Sequence, residues 1–160
     1  MPEVYVGLGS NLEPRTHLRL AVKRLTEQFG TVRCSGIYSS PAAGDPAPDY
    51  WNLAVGFSTQ IAHSTLVALL AELERGSGRV RAPGARVTLD ADLLLYGRRV
   101  DGKLRVPRAD VLRRPFVLAP LTELAPQLGH PVTGVRIGAA WRALERTRPT
   151  LERLGALSAV

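Results

Sequence analysis

TVRCSGIYSSPAAGDPAPDYWNLAVGFSTQ, residues 31–60, decides the fold. Its two ends, 31–40 and 52–60, alternate apolar and polar side chains with the period of two that lays one face of a strand on a core. The link between them, PAAGDPAPDY, is too rich in Pro and Gly for regular structure. A link that short joins antiparallel neighbours, whereas parallel strands need a crossover of about a dozen residues or more.

Outward from this pair, residues 3–8 read as a strand ending in Gly9-Ser10-Asn11, a turn that can start a helix. PRTHLRLAVKRLTEQFG follows, with Leu18, Ala21, Val22 and Leu25 at helical spacing and Gly30 as the stop. A second amphipathic helix is predicted from Thr65 to Arg75, with Leu66, Leu69, Leu70 and Leu73 on its apolar face. GSGRVRAPGAR then forms a loop before the strand in TLDADLLLYG (88–97), and RRVDGKLRV (98–106) reads as a hairpin-like return. Pro115–Ala125 carries apolar residues at helical spacing, although Pro120 is expected to kink or interrupt it. A last helix is expected from Ile137 to Glu145. Strand pairs with short links, interleaved with helices, predict an α+β sandwich, an antiparallel sheet covered by helices, in one domain spanning 1–160.

Charge is confined. Residues 75–114 hold ten arginines, one lysine and four aspartates, while the other 120 positions balance at ten basic and ten acidic residues, so the whole +7 comes from this segment. Such confinement points to a site. Within it, Asp90 and Asp92 lie at i and i+2 on a strand, on one face, with Cα atoms roughly 7 Å apart. That pattern suits oxygen ligation of magnesium, and it is also the pattern of a solvated edge face. The run Leu93 to Tyr96 beside it is typical of a strand buried at one end, where unpaired carboxylates are costly. The residues therefore read as a magnesium-nucleotide site, with Arg79, Arg81 and Arg86 meeting phosphate.

The 160 residues, 45% apolar, are enough for one domain with a real core. No apolar run approaches the roughly 20 residues that cross a bilayer, and the chain enters VYVGLGS without a basic leader. The expectation is a soluble, cytoplasmic protein with no membrane partner. Cys34 stands alone, in an alternating segment, and is expected to be a small core residue. His17, His63 and His130 have no metal-ligand spacing and read as surface or helix-start residues.

Gly7-Leu8-Gly9-Ser10-Asn11 lacks the third glycine of a dinucleotide loop, and no Walker lysine follows. Taken with PDYWN (48–52), GRVR (78–81), TLDADLLLYG (88–97), Val106-Pro107 and RRPFVLAPLTELAP (113–126), however, the chain resembles the 6-hydroxymethyl-7,8-dihydropterin pyrophosphokinase family over about residues 4–131. The resemblance implies a ferredoxin-like α+β fold, an α/β/α sandwich. It also implies transfer of pyrophosphate from ATP to the hydroxymethyl group of a dihydropterin, releasing AMP, in folate biosynthesis.

By that likeness Asp90 and Asp92 bind two Mg2+ ions, and Arg79 and Arg86 join them in catalysis. The pterin would stack between Tyr50 and Phe116, with Asn52 and the stretch around Ser40, Ala42 and Ala43 giving polar specificity. Glu74, Arg81, Leu93, Lys103, Arg105, Arg108 and Arg114 fall at positions that line the nucleotide in the family. The chain departs from the pattern twice. APGAR replaces a longer Trp-Gly-Pro-Arg run, putting Val87 at the usual arginine with Arg86 one position early, and Arg108 follows Val106-Pro107 where the family has histidine. Two rival readings follow from the same residues: an arginine-rich nucleic-acid-binding domain, and a catalytically impaired member that binds pterin or nucleotide only. Against the first, Tyr96 is the only aromatic residue in 75–114 for base stacking, so no nucleic-acid partner is expected.

Overall fold

The computed structural model describes residues 1–42 and 47–159. The sheet is antiparallel and six-stranded: β1 (Glu3–Ser10), β2 (Arg33–Cys34), β3 (Gly36–Ser40), β4 (Tyr50–Ser58), β5 (Asp90–Tyr96) and β6 (Glu152–Ala156). The order is β5-β1-β4-β3-β6, with β2 also paired to β4. Helices α1 (Pro14–Phe29) and α2 (His63–Gly76) join successive strands, and α3 (Pro115–Leu124) and α4 (Ile137–Glu145) follow β5. The first part, β1-α1-β3-β4-α2-β5, has the connectivity and strand order of a ferredoxin-like unit.

Alternation along β1 separates two cores. Val4, Val6 and Leu8 point to one face, where Leu18 and Leu25 of α1 and Leu66 and Leu70 of α2 are all 2% exposed or less. Each such leucine contributes about 1.5–3 kcal/mol on burial. Tyr5 points to the other face, with Ala54, Leu94, Leu118, Leu121 and Ile137. Gly7 and Gly9 share that second face and leave a hollow in it, which α3 roofs.

Local signals account for most boundaries. Pro14 opens α1, and Gly30, at φ 78°, closes it with its N–H on the Thr26 carbonyl. Helix α3 continues through Pro120 instead of stopping there. The return at 98–106 is a loop, not a hairpin strand: Asp101 and Val106 form one isolated bridge, and the Asp101 carboxylate accepts the N–H groups of Lys103 and Leu104, turning the chain.

Two expectations about single residues are corrected. Cys34 is exposed, because Ser35 takes the inward place and its hydroxyl accepts the Ala54 N–H. His130 is buried, its Nδ1 accepting N–H groups from Val132 and Thr133 at 3.3 Å, while burial lowers its pKa.

Candidate active site

Strands β4, β1 and β5 carry the site side by side. Gly9 pairs with Asn52 on one side and Asp90 on the other, and Gly7 pairs with Asp92. Asp90 and Asp92 project to the α3 face, as the i, i+2 spacing requires, and they line a narrow cleft with Gly7, Gly9, Asn52 and Phe116. Beside it opens a cavity of about 220 Å³ lined by Ser40, Pro41, Tyr50, Asn52, Arg79, Val87, Asp90 and Phe116. Two aromatic side chains, an amide, a carboxylate and a guanidinium thus share one hollow. A larger cavity of about 440 Å³ lies between α1 and α2, lined by residues such as Leu20, Arg24, Leu69 and Leu73. It contains none of the paired carboxylates.

Each aspartate faces an arginine. Arg79 Nη1 lies 3.6 Å from Asp90 Oδ1 and donates to the Leu89 carbonyl at 2.7 Å. Arg108 Nη2 lies 3.1 Å from Asp92 Oδ1, brought there because the Arg108 N–H bonds the Leu94 carbonyl and lays the loop exit along β5. The Nε atoms of both arginines are buried with no hydrogen-bond partner among the described residues. Burial, and then the charge of Asp90, push Asp92 up to about 7, against the lowering effect of Arg108. Burial also raises the Tyr50 phenol, which lies near both Arg79 and Asp90.

Other sequence-predicted residues are arranged differently. Glu74 is 7% exposed and fully engaged: one oxygen accepts the Ala91 N–H at 2.9 Å and the other accepts Arg81 at 2.5 Å. It pins α2 to β5 from behind the aspartates. Leu93 has its side chain 5% exposed in the α1/α2 core, on the face opposite Asp90 and Asp92. Lys103, Arg105 and Arg86 are exposed on loops, and Arg114 lies 3.7 Å from Asp110. Ser40 accepts from Asn52 Nδ2 at 3.3 Å, Ala42 is half-buried, and Ala43 lies outside the described residues.

Asn11 and Gly9 carry parts of the site that the sequence reading assigned to a turn. Asn11 Oδ1 accepts the Val87 N–H at 2.6 Å and its Nδ2 reaches the Pro48 carbonyl at 3.4 Å, tying together two loops beside the cavity. A Cβ on Gly9 would lie 2.8 Å from Asn52 Oδ1, so only glycine leaves that amide where it is. The signal was present in GLGSN, but no single-sequence rule distinguishes a loop clamp from a helix start.

Residues 5–126 match the sequence model of the 7,8-dihydro-6-hydroxymethylpterin-pyrophosphokinase family. The chain belongs to this family. It is 39% identical over 139 residues to 2-amino-4-hydroxy-6-hydroxymethyldihydropteridine pyrophosphokinase of Synechocystis sp., covering 82% of this chain and 71% of that one. It is 37% identical to the enzyme of the same name from Haemophilus influenzae, covering 82% and 86%. Among solved structures, the HPPK-DHPS protein of Plasmodium falciparum superposes with a TM-score of 0.70 at 11% identity, covering 95% of this chain and 48% of that one. The chain thus spans about half the length of that solved protein, which supports the fold. As a pyrophosphokinase of this family the chain transfers pyrophosphate from ATP to 6-hydroxymethyl-7,8-dihydropterin in folate biosynthesis. No described helix is long and apolar enough to cross a membrane.

Proposed function

We propose that this family reaction runs in the hollow between β4, β5 and α3, with the chain acting as a single domain over 1–160. The observation that carries the reading is the juxtaposition of Asp90 and Asp92 with a cavity walled by Tyr50, Asn52 and Phe116. Tyr50 and Phe116 stack the pterin, while Asn52 and Ser40 give its edge polar partners. Asp90 and Asp92 hold Mg2+, two ions in all. The donor set fits: both side chains supply oxygen, and burial with the neighbouring Asp90 charge pushes Asp92 up to about 7 even with Arg108 beside it, so an added cation would be favoured there. Among the described residues no group of three such ligands gathers, so Asp90 and Asp92 would hold the metal together with oxygens that the protein does not supply. The metal supplies electrostatic stabilisation of the phosphoryl oxygens.

Arg79 and Arg108 meet the phosphates with their guanidinium groups, with Arg86 supplying a further charge from the loop. Arg81, Lys103, Arg105 and Arg114 form the outer cationic wall, and Glu74 positions Arg81 and β5. In the transfer, the pterin hydroxymethyl oxygen attacks the β-phosphorus, the bond from that phosphorus to the α–β bridging oxygen breaks, AMP departs, and the hydroxyl proton is lost to solvent.

The inward-facing Arg79 and Arg108 favour this reading over an outer nucleic-acid stripe. The test is mass-spectrometric detection of dihydropterin diphosphate and AMP after incubation with ATP, Mg2+ and the pterin. Formation of neither product, with both substrates bound, would instead make this a binding-only member.

A further inference from the structure

The two arginines facing the carboxylates are held in different ways. Arg79 is tethered, because the Leu89 carbonyl accepts its Nη1 at 2.7 Å while Asp90 lies farther off, at 3.6 Å. Arg108 has the closer ion pair, 3.1 Å to Asp92, and among the described residues its guanidinium has no hydrogen-bonded anchor, with Nε buried and unpartnered. Its side chain is 25% exposed, which leaves room to move. A guanidinium stays charged at every accessible pH, so it competes with any cation for that carboxylate without a proton switch.

We propose that Arg108 is a displaceable counter-ion: in the substrate-free protein it guards Asp92 against free divalent metal, and it transfers to nucleotide phosphate when metal and nucleotide arrive together. The inference rests on Asp90 and Asp92 holding the metal, as proposed above. The exchange is balanced, since the arginine gives up one carboxylate contact and gains a phosphate that it can grip with two N–H groups. Metal and nucleotide then bind with positive coupling, each making the other's site available. An imidazole at this position would lose its charge above about pH 6.5 and would guard the carboxylate only weakly.

The test is a titration of Mn2+ alone, followed by electron paramagnetic resonance of the unbound ion, into nucleotide-free wild type, Arg108→Gln, Arg108→Lys, Asp90→Asn and Asp92→Asn. A second series adds an ATP analogue with a methylene group between the α- and β-phosphorus. Arg108→Gln should bind Mn2+ alone about two- to fivefold more tightly than wild type, as a partly exposed ion pair is worth. With the analogue present the same variant should bind Mn2+ less tightly, so the gap between the two series narrows. Arg108→Lys, which keeps the charge, should stay near wild type with metal alone, and thermal unfolding checks that each variant is folded. If Asp92→Asn loses Mn2+ while Arg108→Gln matches wild type, the guard is overturned and the metal assignment stands. If neither aspartate variant alters Mn2+ binding, the metal assignment falls and the guard falls with it.

Discussion

Gly9→Ala tests whether the pterin pocket is built on strand geometry. The new Cβ would sit 2.8 Å from Asn52 Oδ1 and 3.9 Å from Asp90 Cβ. Asn52 is 9% exposed and its Nδ2 is held by Ser40, so its amide cannot turn away without losing that bond. Overpacking of this kind costs about 1–3 kcal/mol, and a lost hydrogen bond about 0.5–1.5 kcal/mol. If a displaced Asn52 forfeits its contacts with the pterin, KM for the pterin should rise roughly ten- to hundredfold, because about 1.4 kcal/mol is a factor of ten. KM for ATP should change little. Steady-state kinetics with each substrate varied in turn give both constants, and a double-mutant cycle with Asn52→Ala separates clash from unfolding. Gly9→Ala should add little loss on an Asn52→Ala background. An unchanged pterin KM in the folded single variant, or full additivity in the cycle, would refute the reasoning.

Asp90→Asn and Asp92→Asn should each remove most AMP release while keeping the fold; near wild-type turnover at saturating Mg2+ would refute the carboxylate roles. The metal-free protein should lose stability as pH rises from about 4 to about 7, because Asp92, raised from 3.8 to about 7, binds more protons folded than unfolded there. Chelated samples unfolded in denaturant across that range measure this slope, and Asp92→Asn should flatten it. Tyr50→Ala and Phe116→Ala should weaken pterin binding by roughly 1–3 kcal/mol each, the worth of stacking on an aromatic ring, with ATP binding nearly unchanged by calorimetry. At the other sheet edge burial alone would raise Glu123, but Arg153, the Gly36 N–H and the Tyr38 hydroxyl together hold it down to about 2. Its folded value lies below the unfolded one, so its contribution is present above about pH 4.5 and lost toward pH 2; Glu123→Gln should abolish that acid-side loss.

The parts legible in the sequence are those fixed by periodicity. The spacing of leucines marked α1 and α2, the short link between 40 and 50 marked the β3–β4 pairing, and the i, i+2 aspartates fell on one face of β5 as strand geometry demands. The missed parts lack a local pattern. Strand β6, ERLGA, is an edge strand with no buried residue, so it has no apolar alternation to read, and it is held by Arg153 on Glu123. The engagement of Glu74 left no local sign, because its partner, the Ala91 N–H, is 17 positions away. Leu93 falls in the same strand as the aspartates, but one step of pleat sends its side chain to the opposite core.

The site therefore divides by the kind of backbone that carries it. Asn52, Asp90, Asp92 and Gly9 stand on adjacent strands whose register fixes their separation, and Phe116 stands in the first turn of α3. Rigid elements hold a small heterocycle to within fractions of an ångström, as stacking and edge recognition need. Arg86, Lys103, Arg105 and Arg108 stand outside strands and helices, where a flexible triphosphate can be met by long side chains from several directions. Both departures from the family pattern, the short APGAR run and Arg108, fall in this second half. With the roles proposed above, change there should be tolerated for a physical reason: a displaced cation would still reach a diffuse phosphate charge, whereas a displaced strand residue would misplace the pterin.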